Sequence, residues 1–471
     1  MAQGCIIVLD IGKTLAKLTL WSPEREPIER RARPNANAES DGYPCLEVDG
    51  IAAWLGETLA EFSKKGHISA IVPVAHGASG CIIEGSGLCV APLDYEAEPP
   101  AEIAEAYRKL RDPFALTGSP LLPAGLNLGV QLYWLDQILP EKARRGHIVT
   151  WPQYWAWRLS GVTATEVTSL GCHTDLWMPS AGRPSPLAEK QGWAARFAPL
   201  RRAFDVLGPV SQEWRRRGLP KDCSVLCGVH DSNAALLAVR LYPEIGGNEF
   251  SVLSTGTWFI AMRSPRAGTG IDIAALPEER DCLANVNAFN VPVPSARFMG
   301  GREAELLEAS PGAPLNLAGR EREMLGLARS LMQDGVFALP SFEKGVGPFP
   351  QHTGSWIRRP DDQFARRVAA SLYLALVADV SLDLIGSRQR LVIEGRFAGD
   401  PVFTRMLASL RPKQAIFCSH AADSISFGAL GLIDGKLPRH AALTSVKPLD
   451  FDIGSYAERW RTLLEKENVH A

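Results

Sequence analysis

The sequence has almost no net charge: 50 lysines and arginines stand against 52 aspartates and glutamates, a formal net charge of −2. No field of one sign remains to draw nucleic acid or an anionic membrane, so neither is expected as a partner. The clusters Arg30, Arg31, Arg33 and Arg215, Arg216, Arg217 are short and read as solvated faces. Long uncharged apolar runs are also missing. The most apolar late stretch, Val368 to Ile385, carries Asp379 and Asp383 and reads as a buried helix rather than a span. Asp10 and Lys13 interrupt the first apolar stretch, so no secretory signal is read there and a cytoplasmic protein is expected. The nine cysteines are odd in number and scattered through apolar segments, the pattern of reduced, buried thiols. Cys223, Cys227 and His230 have no fourth ligand at zinc spacing. Low-complexity segments and short-period repeats are absent as well.

What is present fills 471 residues, too many for one small core and suited to two domains of roughly 200 residues or more. Cys5–Asp10 and Leu15–Trp21, rich in Ile, Val, Leu and Thr and joined through a glycine, predict a hairpin. Glu249–Ser254 and Trp258–Arg263, joined by Thr255-Gly256-Thr257, predict a second. One such unit per half implies a duplicated architecture, divided near Tyr242–Asn248 into domains 1–243 and 244–471. A buried strand is expected over Ile71–His76, with helices over Gly129–Ile138 and Trp151–Leu159. After the second hairpin come a polar, proline-rich stretch and a helix over Leu317–Gln333. A long helix Asp361–Gly386, a strand Leu391–Ile393 and a small-residue helix Ser424–Ile433 follow. Strands and helices mixed in both halves point to α/β layers.

The first hairpin contains Gly12-Lys13-Thr14, which invites comparison with a nucleotide-binding P-loop. That loop needs a glycine five positions earlier, where Ile7 stands inside a strand. A turn of this composition still offers N–H groups, a hydroxyl and an ammonium to phosphate oxygens, and Asp10 at the strand end suits hydrated magnesium. Equally, the segment is an ordinary hairpin. Ser254-Thr255-Gly256-Thr257 adds hydroxyls around a glycine that permits close approach to an anion. Two such turns would clamp a polyphosphate from both sides of a cleft. His230 and Asp231 stand just before a helix starting near Ser232, where a carboxylate serves either as general base or as helix cap.

In chain order these segments resemble the FGGY carbohydrate kinases of the actin-like superfamily. Asp10-Ile11-Gly12-Lys13-Thr14 is similar to the first phosphate motif of the family, and Leu253-Ser254-Thr255-Gly256-Thr257-Trp258 to the second. His230-Asp231-Ser232 resembles the segment of the catalytic aspartate, and Val74-Ala75-His76-Gly77 the one beside the sugar. Glu166 and Thr168, beyond Leu159-Ser160-Gly161, fit a further stretch of mainly structural meaning. Within the family, the His-Asp pair and the Ser-Thr-Gly-Thr-Trp turn look most like the rhamnulokinase and fuculokinase branch.

The resemblance implies an α/β protein of two ribonuclease H-like domains with an interdomain cleft, using ATP and magnesium. Asp231 would be the general base and Asp10 the magnesium anchor through water. His76, Gly77, His230 and Asp94 would face the sugar. Gly12, Lys13, Thr14, Thr255, Gly256, Thr257, Gly300, Gly301, Gly395 and Arg396 would face the nucleotide. Gly300-Gly301 reads equally as a plain loop-to-helix turn, and His173 as a structural histidine. The expected partner is a small sugar, and the expected state a monomer or homodimer. The rivals are a kinase for another pentulose or a polyol, and a non-catalytic ATP-binding sensor. Two departures stand out. Glu394, Arg396 and Phe397 bring bulk to the adenosine-binding stretch Ile393–Gly399, where the family has small residues, and Ser426–Gly431 follows as usual. Lys13 replaces a small hydroxyl residue common in the first turn.

Overall fold

The computed structural model describes residues 4–266, 268–308, 319–421 and 423–468. Two seven-stranded sheets organise it. The first is built from β1 (Cys5–Ile11), β2 (Leu15–Trp21), β3 (Pro27–Pro34), β4 (Ile68–Ala75), β5 (Val206–Pro209), β6 (Ser224–Leu226) and β7 (Val229–His230). Its order is β5-β6-β4-β1-β2-β3, with β7 also beside β4. The second contains β8 (Phe250–Thr255), β9 (Phe259–Ser264), β10 (Cys282–Val286), β11 (Pro292–Phe298), β12 (Arg390–Gly395), β13 (Ala415–Ser419) and β14 (Leu443–Ser445), in the order β10-β11-β9-β8-β12-β13-β14. The pairings repeat. In each sheet an antiparallel hairpin, β1–β2 or β8–β9, is extended on one side by a further antiparallel strand. On the other side two parallel strands follow, β4 and β6 or β12 and β13. The expected duplication is present, as a mixed α/β fold with one sheet per half.

Burial explains why β1 is an unbroken apolar run: helices cover both its faces. Ile7, Leu9 and Ile11 pack on Trp151 and Trp155 of α1 (Trp151–Ser160). Ile6 and Val8 pack instead with Ala234 and Leu237 of α2 (Asp231–Arg240). The same helix turns Leu236 and Val239 toward Val252 and Met262 of the second sheet, so α2 is shared between the halves. Beside it lies α5 (Ser424–Asp434), close enough that a Cβ at Gly428 would fall 1.8 Å from the Ala234 carbonyl oxygen. Ion pairs of Arg25 with Asp434 and of Arg30 with Asp423 tie this late helix and its cap to the first sheet.

Most expected elements fall within a few residues of their observed limits; the strand expected over Ile71–His76 is Ile68–Ala75, and the helix over Gly129–Ile138 is Leu128–Ile138. The second hairpin is displaced by one residue, leaving Glu249 to pair with Arg263. The polar, proline-rich stretch after the second hairpin, for which no element is expected, contains β10 and β11. Arg30, Arg31 and Arg33, expected as a solvated face, lie on the largely exposed edge strand β3. The helix expected from Leu317 begins at Glu321, and Leu317 itself lies outside the described residues. The long helices α3 (Gly300–Glu308) and α4 (Gln363–Leu384) pack on the second sheet. Asp379 inside α4 is matched by Arg411 at 2.7 Å and Arg461 at 3.2 Å. Among the described residues no helix is long and apolar enough to cross a membrane.

Candidate active site

The C-terminal ends of β1 and β8 open into two glycine-containing turns, the first one residue longer than the second. In the first, the Gly12 N–H donates to the Leu15 carbonyl at 3.0 Å, and Asn35 donates to the carbonyls of Gly12 and Lys13. In the second, the Gly256 N–H donates to the Trp258 carbonyl at 3.1 Å. Gly301, at the start of α3, donates to the Thr257 carbonyl at 3.0 Å. A Cβ there would fall 2.2 Å from the Gly256 oxygen, so only glycine lets the helix approach this closely. Gly300 packs its backbone on Phe259. Thr14, Gly256 and Thr257 are exposed at the turn tips, whereas Thr255 is buried. The Thr255 hydroxyl donates to the Glu394 carbonyl and accepts from the Phe397 N–H, fastening the turn to β12.

Two lysines flank the first turn and point different ways. Lys13 turns away from the turn tip: its ammonium pairs with Asp94, lies 3.7 Å from Glu96 and sits over the Tyr95 ring. A phosphate contact by Lys13 would have to break that pair. Lys17, directly across the ladder from Asp10, holds its carboxylate at 2.9 Å. Burial pushes the Asp10 pKa up; Lys17 opposes this, while Asp231 and Asp423 add to it. Sequence reasoning missed Lys17 and Asn35, whose roles depend on strand register rather than on any motif.

Asp231 occupies the first turn of α2. One carboxylate oxygen accepts from the Ser232 N–H and hydroxyl and lies 3.2 Å from His230 Nε2. Among the described residues the other oxygen has no hydrogen bond. Burial pushes this pKa up to about 6, against the pull of Ser232 and Lys17. The residue before it is held from behind: the His230 N–H donates to the Thr168 hydroxyl at 3.0 Å, and Thr168 donates to Glu166. Glu166 is so buried that its pKa rises to about 8.

His76 and Gly77 follow β4 and meet His230, since a Cβ on Gly77 would fall 2.9 Å from the His230 ring. The His76 ring contacts Tyr95 and Trp151, and among the described residues neither of its buried nitrogens has a hydrogen-bond partner. Burial pushes the pKa values of His76 down to about 3 and of His230 down to about 4, keeping both rings neutral at pH 7. His173, by contrast, is satisfied by the Leu126 carbonyl at 3.0 Å. The arrangement sets two neutral imidazoles beside a carboxylate, with a backbone turn at the end of the central hairpin of each sheet.

Residues 247–441 match the family described as Carbohydrate kinase FGGY, C-terminal domain. Over 99% of its length the chain is 47% identical to a carbohydrate kinase from Novosphingobium aromaticivorans, with a TM-score of 0.94 and 99% of that chain covered. The protein belongs to the FGGY carbohydrate kinases. It is therefore a sugar-phosphorylating enzyme. Two more distant structures share the fold of this FGGY kinase, each at a TM-score of 0.75. One is a ligand-bound xylulose kinase from Lactobacillus acidophilus, 14% identical, with 99% of this chain and 98% of that chain covered. The other is Plasmodium falciparum glycerol kinase with ADP, 13% identical, with 98% of each chain covered.

The bulky residues of the stretch Ile393–Gly399 are accommodated in three directions. Phe397 points inward and packs with Phe259 and Phe403. Arg396 points outward, 4.0 Å from Glu305 of α3. Glu394 is buried beneath the second turn, beside Ser254. Gly395 between them has φ +85, and its Cβ would fall 2.7 Å from the Thr255 carbonyl oxygen.

Proposed function

We propose that this kinase transfers the γ-phosphoryl group of ATP to a hydroxyl of a small sugar, O-1 of a ketose or deoxyketose such as L-rhamnulose or L-fuculose. The observation that carries this reading is Asp231: a desolvated carboxylate with one oxygen tied and the other open, beside the neutral ring of His230. The open oxygen takes the proton as the sugar hydroxyl attacks in line. Residues 1–243 supply the sugar side, the first turn and Asp231; residues 244–471 supply the second turn and the adenosine side.

The sugar lies against His76, Gly77, His230 and Asp94. Lys13 holds Asp94 in place. The phosphates lie between Gly12–Thr14 and Thr255–Thr257; the Gly12 and Gly256 N–H groups brace the turns from within, and the N–H groups at the turn tips meet charge as it develops on the transferred group. Lys17 is a further cation at that point. Gly300 and Gly301 bring α3 against the second turn, and Gly395 and Arg396 border the nucleotide. Asp10, buried at the strand end with a cation already at its carboxylate, fits a magnesium ion held through water. Bound there, magnesium neutralises phosphate charge. Closure of the two halves excludes water from the transfer.

A coupled ADP-release screen over ketoses, aldoses and polyols tests the reading. L-Rhamnulose or L-fuculose is expected to give the highest kcat/KM. Faster turnover of D-xylulose or glycerol would move the substrate to another class. No sugar-dependent ADP release from any of them would overturn the proposed reaction.

A further inference from the structure

One buried carboxylate takes no part in the transfer just described. Glu394 is 9% exposed, at the end of β12, opposite Ser254 in the parallel register. Its Oε1 accepts from the Ser254 hydroxyl, and among the described residues its Oε2 is buried with no direct hydrogen bond, although the Ser424 side chain lies beside the carboxylate. An anion left so is expensive unless something positive reaches it. Burial pushes its pKa up, and Ser254 and Ser424 oppose the rise.

Glu394 lines a cavity of about 210 Å³ between α2 and the second sheet, together with Asp231, Ser232, Ser254 and Ser424. The two carboxylates come from opposite halves of the chain, and three serine hydroxyls share the cavity with apolar side chains of α2, of the second sheet and of α5. At about 30 Å³ per water, the space suits a small ion with part of its water shell. Among the described residues no three His, Cys, Asp or Glu side chains converge tightly enough to chelate a metal directly. That favours an ion that keeps its water and meets the protein through it, as magnesium does.

We propose that Glu394 anchors, through water, the divalent cation that accompanies the nucleotide, reaching it from the second half of the chain opposite Asp10 and Asp231. This inference rests on the nucleotide site proposed above. It gives the bulk at this position a use: a carboxylate beneath the phosphate turn draws the cation to the floor of the cleft. Asp10 alone then does not set the metal affinity.

Mn²⁺ binding to the full-length protein, followed by electron paramagnetic resonance with and without ADP, tests this. ADP binding in EDTA, followed by calorimetry, is the control. Glu394→Gln is expected to weaken Mn²⁺ binding in the presence of ADP by about 10-fold, the loss typical of an outer-shell partner. ADP affinity in EDTA is expected to stay within about 2-fold, well below that loss. Glu394→Gly, which restores a small residue, provides a second variant should the amide fail to fold by circular dichroism, with the same expected loss. Unchanged Mn²⁺ affinity in either folded variant overturns the proposal. Wild-type protein that binds ADP but no Mn²⁺ with it overturns the proposal and leaves the nucleotide site standing. Wild-type protein that binds no ADP overturns both.

Discussion

Asp231 and Lys13 show what individual side chains add to a motif. A carboxylate whose pKa lies near 6 gains its proton as pH falls through that value, and a protonated base cannot accept another. The expected kcat/KM is flat near pH 7.5 and drops about tenfold per unit well below pH 6. Asp231→Asn is expected to remove that limb and lower kcat by about 10²-fold or more, with sugar binding retained in calorimetry. A limb that persists in the variant would assign the titration elsewhere. The sequence showed Asp231 because its neighbours form an ordered set of motifs. It could not show that Lys13 faces Asp94, since the partner arrives from a loop some 80 residues away whose path depends on the fold. Lys13→Ala takes the cation from a largely buried Asp94 and leaves it the Glu96 N–H alone, a loss on the order of 1–3 kcal/mol. The sugar KM is expected to rise about 5- to 100-fold with the ATP KM little changed. The opposite split in steady-state kinetics would return Lys13 to the phosphates.

Among the elements, those that pack on both sides were legible and those at the margins were not. The strands β1, β8 and β12 are apolar because helices cover both faces, and a run of Ile, Val and Leu announces that. The strand β11 hides behind prolines. Pro292 opens it, and Pro294 lies where only β10 pairs with it, so no ladder bond to β9 is lost. The strand β3 is an exposed edge, and its charges serve solubility rather than a core. The contact of α3 with the second turn was equally hidden, because Gly300-Gly301 also suits a plain turn. Its geometry makes a sharp expectation. Gly301→Ala forces a methyl into the Gly256 carbonyl and displaces the turn, so kcat/KM for ATP should fall by about 10²-fold. Sugar affinity measured by calorimetry should hold. A variant with normal ATP kinetics would show that the turn tolerates the shift.

For the whole molecule, the duplicated hairpins implied two related halves, and the strand order bears that out. What the sequence left unseen is how the halves are joined. The helix α2 serves both sheets, so the residue that begins it sits between them. The helix α5 seals the first sheet from beyond the second: Phe427 meets Trp21 edge-on at 6.1 Å, and Leu430 joins Val8 and Val74. This arrangement sets a timetable for synthesis. When residue 243 leaves the ribosome, Trp21, Val72 and Val74 still lack their cover, and roughly 190 residues must follow before α5 is complete. At 5–20 residues per second the nascent chain waits about 10–40 s with an apolar face open to water. A fragment ending at residue 243 should therefore aggregate when made alone and become soluble when co-expressed with residues 244–471. Solubility of the fragment by itself would mean that another surface closes over that face. For this protein the first half to be made is the last to be finished.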